Sequence, residues 1–93
     1  MAVTTAGTAA SEGAAARANE FVRQAAQSGD PEAARDLLAQ AIVIDPDNAE
    51  AHFRLGGLLL GSDPARARIE YQAANRLDPA RYGDEAGAML KER

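Results

Sequence analysis

The chain has 93 residues and a formal net charge of −4, so it has room for one small domain and lacks the excess of basic residues typical of nucleic-acid binders. It contains no cysteine, which excludes disulfides, thiolate metal sites and a cysteine nucleophile. The longest strongly apolar run, Leu58–Leu60, is far shorter than the ~20 residues of a membrane span, and the first ten residues lack a signal-peptide pattern. We therefore expect a cytoplasmic protein with no nucleic-acid or membrane partner, and its excess of arginine over lysine favours a bacterial source.

The first predicted helix follows a short N-terminal tail. Residues 1–10 are small and polar without periodicity, and we expect them to be flexible. Ser11 is a suitable N-cap for a helix that runs to about Ala26, and Ser28 and Gly29 end this helix.

The second and fourth predicted helices have the same boundary dipeptide. Asp30 and Pro31 start the second helix, because aspartate caps free N–H groups and proline needs no N–H at the first helical position. Asp45 and Pro46 end it, since a residue that precedes proline disfavours the α conformation. The corresponding boundaries of the fourth helix are Asp63-Pro64 and Asp78-Pro79.

The third and fifth helices have weaker signals. Asp47 and Glu50 have the spacing of a capping box and predict a third helix that runs to about Gly61. Residues 81–93 predict a short C-terminal capping helix, with Tyr82 and Leu90 on its apolar side. No segment alternates between apolar and polar residues over a useful length, so we predict an all-α fold.

The sequence repeats itself at an interval of 33 residues. Seven residues between positions 29 and 48 are identical to the residues 33 positions later. They are Asp30, Pro31, Ala34, Arg35, Ala41, Asp45 and Pro46, matched by Asp63, Pro64, Ala67, Arg68, Ala74, Asp78 and Pro79. A shift of 34 aligns the leading helices, with Ala18, Phe21 and Ala25 on His52, Leu55 and Leu59. The pattern predicts two helix–turn–helix units, residues 11–46 and 47–80.

Both units resemble the tetratricopeptide repeat, whose pattern is W-x2-L-G-x2-Y, then A-x3-F, then P. The second unit carries His52-x2-Leu55-Gly56-x2-Leu59, then Ala67-x3-Tyr71, Ala74 and Pro79. The first carries Ala18-x2-Phe21-Val22-x2-Ala25, then Ala34-x3-Leu38, Ala41 and Pro46. Its leading helix departs from the pattern, because alanine and valine replace the tryptophan and the glycine.

The resemblance implies a short right-handed helical-repeat solenoid in which the first helix of each unit lines a concave groove. The residues expected to pack the repeats together are Phe21, Ala34, Leu38, Ala41, His52, Leu55, Gly56, Leu59, Ala67, Tyr71 and Ala74. The residues expected to face a partner in the groove are Asn19, Arg23, Gln27, Phe53, Gly57 and Leu60. We therefore expect a non-catalytic adaptor or scaffold that binds a partner peptide or helix.

Several alternatives stay open at this point. A plain four-helix bundle would also bury these helices, although it does not account for the identities at an interval of 33. Phe53 and Leu60 form an apolar stripe. Instead of a partner, this stripe could be covered by the chain's own residues 81–93, by its N-terminal segment or by a second copy of the chain. Because two repeats and a cap are a short stack, homo-oligomer formation through the repeat ends is the alternative function.

The sequence gives no positive sign of catalysis or of a cofactor. His52 is the single histidine and occupies a packing position, so it has no second imidazole for a metal site. The four aspartates that precede proline are explained by capping and turns. The glycines around Gly56 lack the Lys-Ser/Thr of a phosphate-binding loop. The lysine-containing clamp by which some family members bind chaperone carboxylates has no counterpart near Asn19, Arg23 and Arg54.

Overall fold

A computed structural model describes the backbone of residues 2–83 and the side chains of residues 13–83. It contains four helices, α1 (Ala2–Gln27), α2 (Pro31–Ile44), α3 (Ala49–Leu59) and α4 (Pro64–Leu77), and the backbone is helical again over residues 79–83. The described residues contain no strand. The predicted all-α fold is confirmed, and residues 84–93 of the predicted capping helix lie outside the described part of the chain.

The predicted Asp-Pro boundaries are confirmed at both ends of α2 and α4. The Asp30 carboxylate accepts the Glu32 N–H at 3.1 Å, and the Asp63 carboxylate accepts the Arg66 N–H at 3.1 Å. At the other ends, the backbone N–H groups of Asp45 and Asp78 donate to the carbonyls of the preceding turn. Each aspartate therefore satisfies backbone groups that a helix end leaves without partners.

Two other helix starts differ from the sequence prediction. The N-cap of α3 is Asn48 rather than Asp47, and its side chain accepts the Ala51 N–H at 2.9 Å. The helix α1 begins at Ala2, so Ser11 lies within it and does not cap it. Four of the nine residues from 2 to 10 are alanine, and none is proline, which favours continuation of the helix. The flexibility that we predict for residues 1–10 and the limits of the two units stay predictions.

The helices pack in two pairs, α1 with α2 and α3 with α4, and α2 contacts α3 between them. Most of the predicted packing residues are buried, whereas Phe21 and His52 are half-buried. The core also contains residues that the packing prediction omits, namely Ala18, Val22, Ala25, Ala51 and Tyr82. The pairs therefore share one continuous core.

The two pairs fill equivalent core positions with different sizes of side chain. Gly56 in α3 is opposite Tyr71 in α4, and a β-carbon on Gly56 would lie 3.1 Å from two carbons of that ring. The corresponding buried residues of the first pair are Val22 and Leu38. A small residue beside a large one in the second pair thus takes the place of two medium residues in the first.

Candidate partner-binding groove

A groove with a cavity volume of about 690 Å³ lies between the two helix pairs. Its first side is the end of α1 and the start of α2, and its second side is α3 with Tyr71 of α4 and the segment after α4. The lining residues are Ala25, Ala26, Ser28, Gly29, Pro31, Ala34, Leu38, Glu50, Phe53, Arg54, Gly57, Leu58, Tyr71, Arg81 and Tyr82. Both helix pairs are therefore needed to form it.

Three aromatic rings form one wall of the groove. Phe53 stacks on Tyr82 with ring centroids 4.7 Å apart, and it makes an edge-to-face contact with Tyr71 with ring centroids 5.5 Å apart. Both tyrosines are almost fully buried, and burial raises the pKa of each hydroxyl. Phe53 itself is half-buried, because Tyr82 covers one of its faces.

Gly57 makes a gap beside this aromatic wall. A β-carbon at Gly57 would meet only the Tyr71 hydroxyl oxygen, at an ordinary contact distance of 3.7 Å. The backbone of α3 is therefore exposed at this point, and an incoming chain has close access to it.

Two arginines stand at the rim of the groove. The Arg54 guanidinium donates to the Glu50 carboxylate on the same helix at 2.8 Å. Arg81 lies over the face of Tyr82, with its guanidinium carbon 5.2 Å from the ring centroid. The cation–π contact holds Arg81 beside the aromatic wall.

The structure brings together only two of the predicted partner-binding residues. Phe53 and Gly57 line the groove, whereas Asn19, Arg23, Gln27 and Leu60 are not among its lining residues. The last four are all exposed. Leu60 follows the end of α3 and has 45% of its surface accessible.

The polar residues of α1 have partners within the chain. Asn48 donates from its side-chain amide to the Asn19 side-chain oxygen at 2.8 Å, which ties α1 to the start of α3. Arg23 pairs with Glu20 one turn earlier, and this hydrogen bond lowers the pKa of Glu20 and raises that of Arg23. The Arg23–Glu20 pair is exposed, and exposed ion pairs contribute little to stability.

The sequence predicts only part of the aromatic wall. It predicts that Phe53 faces the groove, but it assigns Tyr71 only to the packing of the repeats and Tyr82 only to a capping helix. The composition held a usable signal, because the chain has only four aromatic residues and three of them line this groove. Arg54 and Arg81 had no such signal, since their position depends on how the helices pack.

His52 has polar contacts that the packing prediction did not include. One ring nitrogen, Nδ1, lies 2.6 Å from the buried Glu70 carboxylate, and the other, Nε2, lies 2.8 Å from the Pro46 carbonyl oxygen. Within residues 13–83, no group of three or more histidine, aspartate or glutamate side chains has an arrangement that could hold a metal ion. His52 therefore joins helices within the fold.

The packing of α1 with α2 and of α3 with α4, joined through α2 and α3, is consistent with a helical-repeat fold. Residues 24–61, from the end of α1 to the turn after α3, match the family model of the TPR repeat. Over these residues the chain is similar to tetratricopeptide-repeat proteins, which confirms the resemblance in the sequence pattern. Proteins with these repeats are, in general, protein-interaction modules. Neither the curated proteins nor the solved structures contain a match to this chain. None of the described helices is long and apolar enough to cross a membrane.

Proposed function

We propose that the chain is a non-catalytic interaction module whose groove binds a helix or an extended segment of a partner protein. The observation that carries this proposal is the concentration of three of the chain's four aromatic residues along one groove. Aromatic residues are enriched at protein interfaces and at the positions that contribute most to binding. The groove's volume of about 690 Å³ is enough to hold several side chains of a partner.

Each part of the groove has a role in this proposal. Phe53 provides apolar contact area and the two buried tyrosines hold its ring in place, while Gly57 leaves space for a partner's backbone or side chain. Arg54 and Arg81 provide donors at the rim. Contact of Asn19, Arg23, Gln27 and Leu60 with a partner stays a prediction, because these residues lie outside the groove lining.

Site-specific cross-linking tests where a partner binds. A photoreactive amino acid is placed at Ala26, which is exposed and lines the groove, or at Ile69, which is exposed on α4 and does not. We expect a discrete protein to be cross-linked from position 26 in cell extract and not from position 69. Equal cross-linking from both positions contradicts binding in the groove.

Affinity measurements with the partner so identified provide the second step. We expect Gly57→Leu to fill the groove and weaken binding at least about 30-fold, the effect of losing one strong interface contact. Gly61→Leu is the matched control, because no atom lies within 4 Å of the β-carbon that it adds. If Gly57→Leu keeps the wild-type affinity and Gly61→Leu loses it, the partner binds outside the groove.

Self-association is the alternative function, and exposed apolar side chains favour it. Val43, Ile69 and Leu60 have 81%, 57% and 45% of their surface accessible. If they join copies of the chain, light scattering will show an oligomer that Ile69→Lys or Leu60→Lys converts to a monomer. If the chain is a monomer across a hundredfold range of concentration, these residues do not join copies of the chain.

A further inference from the structure

A partly buried polar cluster connects α3, α4 and the turn that joins α2 to α3. The His52 ring lies between the Glu70 carboxylate of α4 and the Pro46 carbonyl of the turn. The second oxygen of Glu70 accepts from Arg66 Nε at 2.8 Å. Water has limited access, since the side chains of His52 and Glu70 are only 12% and 6% exposed.

Both contacts of the His52 ring require a proton on the ring. The Pro46 carbonyl oxygen can only accept a hydrogen bond, and Glu70 can only accept when it is ionised. The other Glu70 oxygen lies 2.8 Å from Arg66 Nε. The ring makes both hydrogen bonds only when it carries two protons, and a ring with a single proton makes one of them.

The remaining charged groups around His52 are few. The helix α4 contributes Glu70 and Arg66, and the turn carries Asp45 and Asp47, of which Asp45 accepts the Asp47 N–H at 3.2 Å. On α3 itself, Glu50 is paired with Arg54. Among these described groups, Glu70 is the carboxylate in hydrogen-bond contact with the ring.

The cluster is adjacent to the aromatic wall of the groove. Phe53 follows His52 on α3, and Tyr71 follows Glu70 on α4, so the His52–Glu70 contact and the Phe53–Tyr71 contact are neighbouring links between the same two helices. A shift of α3 against α4 at the first contact would therefore change the spacing of the rings at the second. The Pro46 contact extends this coupling to the junction between the helix pairs.

We propose that His52 is a proton-dependent clasp that holds the α2–α3 turn and α4 together and thereby sets the shape of the groove. The clasp is closed when the ring carries two protons and opens when one is lost. Its effect on a partner depends on the proposed function of the groove, whereas the clasp itself is a property of the free protein.

Nuclear magnetic resonance of the free, ¹⁵N-labelled protein tests the clasp directly, because His52 is the single histidine. The titration covers about pH 5 to pH 8, the range in which histidine changes its charge. We expect two proton-bearing ring nitrogens at the acid end. Loss of one proton should coincide with shifts of the Phe53 and Tyr71 ring signals. The folding equilibrium constant should fall over the same range, because a ring with one proton makes one hydrogen bond fewer.

Three variants separate the clasp from other titrations, including that of the α-amino group. His52→Gln should abolish the change in stability over this range, and Glu70→Gln should reduce it because the ring then needs one proton fewer. Glu50→Gln is the matched control, since it removes an exposed ion pair on the same helix and should keep the wild-type profile.

The proposal is overturned if the ring loses its proton while stability and the ring signals stay unchanged. The wild-type protein is sufficient to observe this result. The proposal is equally overturned if His52→Gln keeps the wild-type profile. Neither readout needs a partner, so absence of a partner leaves this test intact.

Discussion

Gly56 and Gly57 are consecutive on α3, but their surroundings differ. A methyl group on Gly56 would lie 3.1 Å from the Tyr71 ring and 3.3 Å from the Ala67 carbonyl oxygen, whereas one on Gly57 would lie 3.7 Å from the Tyr71 hydroxyl. We expect Gly56→Ala to destabilise the fold by about 1–3 kcal/mol through overpacking. Gly57→Ala should stabilise it by about 0.5–1 kcal/mol, because alanine favours the helix.

Urea unfolding followed by circular dichroism measures both effects. The two variants add the same methyl group to adjacent positions, so each is the control for the other. A Gly56→Ala variant as stable as wild type would mean that the Tyr71 ring moves aside without cost, and the close approach of α3 to α4 would not explain the glycine.

The two tyrosines make stability depend on pH at the alkaline end. Burial raises the pKa of Tyr71 and Tyr82 above the ordinary value of about 10, so the folded chain keeps these protons to higher pH than the unfolded chain. Their contribution to stability is therefore complete below about pH 10 and is lost as the pH rises through the folded values. Urea titrations between about pH 8 and pH 11 should show this loss, and Tyr82→Phe should reduce it. An unchanged alkaline loss in the double Tyr→Phe variant would assign it to other groups.

At the scale of the helices, the Asn48 side chain makes two hydrogen bonds at the start of α3. It caps the helix through the Ala51 N–H and binds the Asn19 side chain of α1. We expect Asn19→Ala to cost about 1 kcal/mol, the net value of one hydrogen bond, and Asn48→Ala to cost about 1 kcal/mol more because it also removes the cap.

The double variant decides whether the two residues act as a pair. Since Asn48→Ala already removes the contact with Asn19, the double variant should be no less stable than Asn48→Ala alone in urea unfolding. If the two losses add in full, Asn19 stabilises the fold through some other contact, and the tie between α1 and α3 is not the reason for its effect.

The helix ends show which local signals sufficed for prediction. Asp30 and Asp63 were predictable because capping depends on a residue and the few that follow it. The N-cap of α3 could not be predicted from the sequence, since Asp47 and Asn48 are both good caps. Asn48 also contacts Asn19, which lies on another helix. The start of α1 had the same difficulty, because Ser11 is as acceptable within a helix as before one.

At the scale of the whole molecule, the groove combines residues from both helix pairs. The repeat pattern describes one face of one helix, and Phe53 and Gly57 of that face line the groove. It could not place Tyr82 on the Phe53 ring or Glu70 against His52, since these contacts depend on the packing of separate helices. Leu60 was predicted to extend the apolar stripe into the groove, but α3 ends at Leu59 and Leu60 is not among the groove residues.

The shared core leads to a prediction about cooperativity. A single repeat cannot bury its apolar face alone, and within residues 13–83 the two helix pairs pack against each other through α2 and α3. Leu38→Ala removes a fully buried side chain from α2 and should cost about 2–5 kcal/mol. We expect this loss to destabilise the second pair equally, although the substitution lies in the first.

The positions of the tyrosines make this prediction measurable. Both lie after the first helix pair, Tyr71 on α4 and Tyr82 beyond it, so tyrosine fluorescence reports on the second pair while far-ultraviolet circular dichroism reports on every helix. In the Leu38→Ala variant the two signals should move together to the same lower urea concentration, and the exposed substitution Gln40→Ala should leave both in place. A tyrosine transition that stays at the wild-type midpoint while helicity is lost in two steps would mean that α3 and α4 fold without the first pair. In that case the groove would form only after the two pairs had folded separately, and the contacts of Asn48 with Asn19 and of His52 with Pro46 would position the pairs without stabilising either one.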